Sequence, residues 1–265
     1  MAAELREQDY GVDAPGGGRL VNPGGSGHAL LVCEHASNHV PAEFDGLGLD
    51  AAARASHIAW DPGALGVAER LSDALDAQLL ASRVSRLVYD CNRPPQAPDA
   101  IPARSEIHDI PGNAGLDAAT RQDRIDRFYR PFEARLAALV AARPAPPVLI
   151  TVHSFTPVYK GKSRSVELGI LHDSDARLAN AILDRAADFT GLAVERNAPY
   201  GPADGVTHTL LRHAVENGLM NVMLEIRSDL IADPGAQADM AAMLARLLGA
   251  AMAALDVPPR TEATA

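Results

Sequence analysis

Glu34, His35 and Asn38 follow directly on the apolar run Ala29-Leu30-Leu31-Val32-Cys33. Carboxylates and imidazoles bind divalent cations and move protons near neutral pH, so this junction is the first place to expect chemistry. Two later runs end in the same way: Val148-Leu149-Ile150-Thr151-Val152 stops at His153, and Asn221-Val222-Met223-Leu224 stops at Glu225. A catalytic metal site takes three protein ligands from residues of these types and leaves one position open. His35 and His153 are the imidazole pair. The third ligand is Asp61 or Glu34, and Asp61 is preferred because consecutive strand residues point to opposite faces, which sets Glu34 against His35. Asp61 also has an ordinary reading, since Asp61-Pro62-Gly63 precedes a helical pattern in which Asp caps orphan amides and Pro has no donor to waste. Glu225 is the expected general base, its alternative being a buried ion pair with Arg227. Arg93 and Arg227 stand at strand ends, and a planar guanidinium holds a carboxylate by two parallel hydrogen bonds, so an acidic substrate is expected.

These side chains need a scaffold that brings three strand ends to one crevice. Short apolar runs bounded by polar residues read as buried strands of an α/β sheet, where ligands lie outside the carboxyl ends. Strands are expected at 29–33, 79–82, 87–90, 148–152, 166–171, 193–195 and 221–224. Helical spacing predicts a short helix over 50–58 and longer ones near 64–75, 117–142, 175–189 and 238–255, with Asp233-Pro234-Gly235 as a turn. Two Gly- and Pro-containing loops, 92–115 and 197–209, are long enough to cover a site. Tyr159-Lys160-Gly161-Lys162-Ser163-Arg164 adds a basic lip containing the only two lysines of the chain.

The 265 residues, 47% of them apolar, suit one hydrolytic α/β domain over 28–256, with an arm at 1–27 and a flexible tail at 257–265. A net charge of −10 disfavours nucleic acid and anionic membranes as partners. No apolar run reaches the roughly 18 residues of a membrane span, and Cys33 and Cys91 make no disulfide framework, so a cytoplasmic location is expected. No G-x-G-x-x-G or P-loop follows the first strand, which argues against a nucleotide-binding domain. A metal-free binding domain using the same crevice is the alternative from another class. A Cys33 or Ser154 hydrolase is a lesser reading, because a nucleophile next in sequence to its base is rarely next to it in space.

Five separated blocks are more specific than any one of them: Cys33 to Pro41, His57 to Ala64, Ser85 to Pro94, Thr151 to Phe155 and Gly205 to Leu210. Together, over about residues 28 to 250, they resemble the N-formylglutamate amidohydrolase family. The resemblance implies a three-layer phosphorylase/hydrolase-like fold with a mixed, mostly parallel central sheet, akin to zinc carboxypeptidases. It implies hydrolysis of N-formylglutamate to formate and glutamate, late in histidine degradation, with one divalent metal ion, zinc first. Asn92-Arg93 is similar to the pair with which zinc carboxypeptidases hold a terminal carboxylate, which makes Asn92 and Arg93 substrate contacts. His208, in the last block, joins them. Another N-acylated acidic amino acid, or an amide in a peptide or peptidoglycan fragment, would use the same parts.

Overall fold

The structure is a computed structural model that describes residues 16–257. Seven strands form its main sheet: β1 (Arg19–Val21), β2 (Ala29–Cys33), β3 (Gln78–Ala81), β6 (Val148–Phe155), β9 (Leu168–Leu171), β10 (Val194–Arg196) and β11 (Asn221–Arg227). Their spatial order is β1-β3-β2-β6-β11-β9-β10. The other strands make two hairpins, β4 (Arg104–Ser105) with β5 (His108–Asp109) and β7 (Val158–Tyr159) with β8 (Lys162–Ser163).

β3, β2, β6 and β11 are parallel neighbours, whereas β9 opposes β11 and β1 opposes β3. The carboxyl ends of β2, β6 and β11 therefore lie side by side. Register sets Glu225 beside His153 and Val32 beside Thr151, so the three polar residues end their runs at nearly one level. β9 runs the other way, and His172 and Asp173 leave it toward the opposite end of the strands.

Among the described residues eight α-helices accompany the sheet: α1 (Ala51–Ala55), α2 (Ala64–Ala74), α3 (Ala118–Arg124), α4 (Arg130–Ala141), α5 (Arg177–Leu183), α6 (Ala186–Phe189), α7 (His208–His213) and α8 (Pro234–Ala253). Burial on both faces explains why the strands read as continuous apolar runs. On one face Leu31, Ile150 and Leu224 meet Val67 and Leu71 of α2, Leu178 of α5 and Leu244 of α8. On the other, Leu30, Val32, Leu149 and Met223 share a core with Phe128, Phe132 and Leu136. The architecture is α/β, with a mixed, mostly parallel central sheet.

Several expected elements differ. Leu87–Asp90 is a turn and not a strand, because Ser85 gathers the amides: its Oγ accepts from Leu87 N and its carbonyl from Val88 N. The helix expected over 117–142 is broken by a π turn at Ile125–Tyr129, where Arg130 N reaches back to Ile125 O just before Pro131, which has no amide to donate. β1 belongs to the stretch expected as an arm, so the sheet begins before residue 28. Asp233-Pro234-Gly235 opens α8 instead of standing as a separate turn, with the Asp233 carboxylate accepting from Gly235 N and Ala236 N. The rest of the expected arm, residues 1–15, and the tail after 257 lie outside the described residues.

Candidate active site

The loop after β2 turns His35 into the crevice, and Asp61 arrives beside it because its own amide donates to His35 O at 2.9 Å. Asp61 does not cap α2. That position belongs to Gly63, held at φ 81°, where an added Cβ would come within 2.4 Å of Ile231 O. Only a glycine turns the chain there, and the turn leaves the Asp61 carboxylate free to face the histidines. His153 completes the group from β6. Asp61 Oδ2 lies 3.2 Å from His35 Nδ1 and 3.0 Å from His153 Nδ1, and the two Nδ1 atoms are 3.2 Å apart. All three side chains are buried.

The outer partners decide what these atoms are. His35 Nε2 lies 2.7 Å from Asp90 Oδ1, and Asp90 is itself held by Arg86 Nη2 at 2.8 Å. His153 Nε2 lies 3.0 Å from Glu34 Oε2, a close electrostatic contact set off the axis of a hydrogen bond. A carboxylate that accepts from Nε2–H leaves Nδ1 with its lone pair, as Asp90 can for His35, and the Glu34 charge beside His153 Nε2 favours the same tautomer there. Two such lone pairs and a carboxylate oxygen then face one another, and they repel unless a cation or proton lies among them. Their spacing is close to the edge, about 3.3 Å, of a tetrahedron around an ion bound at about 2.0–2.1 Å. His35, Asp61 and His153 therefore form a group that can hold a metal ion.

Burial opposes ionisation of Asp61, yet the flanking His35 and His153 hold its carboxyl far below the usual range. Burial works against protonation of His153 as well, but Glu34 and Asp61 raise its pKa well above the ordinary value. Glu225 behaves differently. Burial pushes its pKa up to about 7, with His153 pulling against that rise and the Asp61 charge adding to it. Its Oε2 is buried without a hydrogen-bond partner. A buried carboxylate with a free oxygen and a pKa near neutrality suits proton transfer.

The group opens into a cleft of about 390 Å³, lined on its polar side by Arg86, Asn92, Arg93, Asp99 and Glu106 among others. Arg93 lines it but is partly engaged: Nε donates to Asp99 at 2.8 Å and Nη1 to Asn92 O at 3.0 Å. The Asn92 amide bridges two loops, donating to Val206 O and accepting from Thr209 N. Arg227 is outside the lining, its guanidinium bound to Asp229 and Glu167 and not to Glu225, so the alternative reading of Glu225 as its ion-pair partner is not met. His208 is also outside, with Nε2 at 2.8 Å from the Tyr129 hydroxyl. The sequence reading missed Arg86 and Asp90, whose only local signal is a basic and an acidic residue four apart. Arg86 also lies 3.4 Å from Asp61 Oδ1, so one guanidinium braces both carboxylates around His35.

The family model of N-formylglutamate amidohydrolase matches residues 27–232. The chain belongs to the N-formylglutamate amidohydrolase family. A crystal structure of a gene product of Agrobacterium tumefaciens is 52% identical, with a TM-score of 0.88 over 89% of this chain and 95% of that one. The crystal structure of N-formylglutamate amidohydrolase from Ralstonia eutropha is 19% identical, with a TM-score of 0.57 over 89% of this chain and 98% of that one, and shares the fold. No protein of curated function matches the sequence.

Proposed function

We propose that this protein is a metal-dependent amidohydrolase that cleaves the N-formyl, or another N-acyl, amide of an acidic amino acid, as in N-formylglutamate with water to formate and glutamate. The observation that carries the reading is the convergence of His35 Nδ1, His153 Nδ1 and Asp61 Oδ2 beside the unpartnered Oε2 of Glu225. His35, Asp61 and His153 would hold one divalent ion, with zinc expected because two imidazoles and a carboxylate suit it, as they suit manganese, cobalt or iron. Such an ion supplies a Lewis acid that polarises the amide carbonyl and makes water acidic enough to attack near neutral pH.

The chain supplies the rest. Glu225 accepts a proton at Oε2 as water adds to the acyl carbon, and returns it to the amide nitrogen as the C–N bond breaks. Asp90 and Glu34 orient the two imidazoles, and Arg86 keeps Asp90 and Asp61 in place. Arg93 receives a substrate carboxylate on the face of its guanidinium not taken by Asp99 and Asn92 O. Asn92 fixes the loop from which Arg93 projects, and Arg227 and His208 have no part in the clamp. Kinship with zinc carboxypeptidases, a step late in histidine degradation and a cytoplasmic location belong to the same proposal. Among the described residues no helix is long and apolar enough to cross a membrane.

The deciding test combines elemental analysis of gently purified protein with release of formate from N-formylglutamate, before and after dialysis against a chelator. About one equivalent of metal, activity lost with it and activity restored by zinc are expected. Undiminished turnover in metal-free protein would leave only the metal-free alternatives.

A further inference from the structure

Phe155, Tyr159 and Tyr200 line the cleft together. The chain has only 5 Phe and 5 Tyr, so three rings at one cleft do not follow from composition. One cation gathers them: the Arg164 guanidinium lies 5.4 Å from the ring centre of Phe155, 4.6 Å from that of Tyr159 and 4.9 Å from that of Tyr200. Arg164 also donates to the Tyr200 hydroxyl at 2.9 Å and to Thr156 O at 3.3 Å. It does not line the cleft, so it braces the rings from outside. Rings fixed in this way lose little freedom when a ligand arrives.

The wall begins at the candidate centre. Phe155 stands two residues beyond His153 in β6 and points to the same face. Tyr200 follows a loop seated tightly on β9, where a Cβ on Gly169 would meet Ala198 O at 1.9 Å, and Gly169 is the register partner of Glu225. Two exposed apolar side chains neighbour cleft residues in sequence. Ile107 is 70% exposed and follows Glu106, while Val158 is 48% exposed and precedes Tyr159. Singly exposed apolar residues need no explanation, but these two stand on the hairpins at the mouth. Lys160 N donates to Glu106 Oε1 at 3.0 Å, which ties β7–β8 to β4–β5.

A formyl group, with a hydrogen on its carbonyl carbon, makes no use of such a wall. Resting on the amide hydrolysis proposed above, we propose that this side of the cleft takes an apolar acyl group larger than formyl. The preferred substrates are then acidic amino acids N-acylated with an aryl or medium-chain alkyl group. The chemistry is unchanged: water gives its hydroxyl to the acyl carbon and a proton to the nitrogen, releasing the fatty or aromatic acid and the amino acid.

The test is a series of N-formyl-, N-acetyl-, N-octanoyl- and N-benzoylglutamate with the metal-loaded protein. The expected kcat/KM is at least about tenfold higher for octanoyl or benzoyl than for formyl, as apolar pockets discriminate by size. Which of the two is better separates chain from ring, and either upholds the proposal. In Arg164→Ala and Tyr200→Ala that ratio should fall toward one. Calorimetric binding of the same compounds to Glu225→Gln supplies a readout independent of turnover, with benzoyl or octanoyl expected at least about tenfold tighter than formyl. Formylglutamate as the best substrate, with equal or weaker binding of the larger compounds, overturns the acyl wall and leaves the amidohydrolase reading standing. If no compound is cleaved, that reading falls, and the binding series still decides the wall.

Discussion

Asp61 carries its carboxylate between two imidazoles while Gly63 occupies the helix cap, so loss of the acid should cost metal and not a cap. Asp61→Asn is expected to retain less than about half an equivalent of metal after dialysis against a weak chelator, whereas a lost cap would alter only stability by about 1 kcal/mol. Glu225 makes a separable prediction. Glu225→Gln should keep its metal yet lose at least about 10²-fold in kcat, as removal of a positioned base does. Because the Glu225 pKa is pushed up to about 7 by burial, kcat/KM of the wild type should rise as pH increases through 7 and the base loses its proton. That acidic limb should vanish in Glu225→Gln. A limb that persists in the variant would assign it to another group.

At the scale of elements, the same tripeptide meets two fates. Asp233-Pro234-Gly235 opens α8 with its carboxylate on Gly235 N and Ala236 N, and Asp233→Ala should lower unfolding free energy by about 1 kcal/mol in urea titrations while leaving activity per folded molecule intact. α7 carries a different sensitivity. His213 is buried at its end, and burial pushes its pKa down to about 4 from 6.5, with Glu133 opposing the fall. The unfolded chain then binds more protons between these values. The stability His213 contributes is complete above pH 6.5 and is lost as pH falls toward 4, by roughly 3 kcal/mol at most. Urea midpoints at pH 7 and 4.5 should diverge less for His213→Gln than for the wild type.

For the whole molecule, a metal ion that binds only the folded chain is a stabilising ligand. At about a hundredfold excess over its Kd it contributes about 2.7 kcal/mol, which for a domain of this size raises Tm by roughly 5–10 °C. Chelation should therefore lower the calorimetric Tm by that amount, and zinc should restore it. The three candidate ligands come from the loop after β2, the turn before α2 and β6, so an ion held by them would join segments far apart in sequence. A Tm indifferent to chelator, in protein shown to have lost its metal, would mean that the group is equally stable empty.

Much of the candidate site was legible in the chain itself. Apolar runs that give way to Glu34-His35, His153 and Glu225 mark buried strands near the carboxyl side of the sheet, because strands covered on both faces are mostly apolar, although β6 and β11 each continue two residues past that point. The length of those runs and the helical spacing between them also determine an α/β class. Asp61 and Asp233 show where local reading stops: each begins Asp-Pro-Gly before a helix, yet one caps and the other faces two histidines. The difference lies in Ile231 pressing on Gly63 and in the His35 carbonyl taking the Asp61 amide, contacts between residues remote in sequence. Tertiary structure likewise disposed of Arg227, which Glu167 and Asp229 hold outside the cleft, and brought Arg86 to the carboxylates around His35. A guanidinium on its long flexible stem can face any of several neighbours, so its partner is decided by which carboxylates the fold brings within reach.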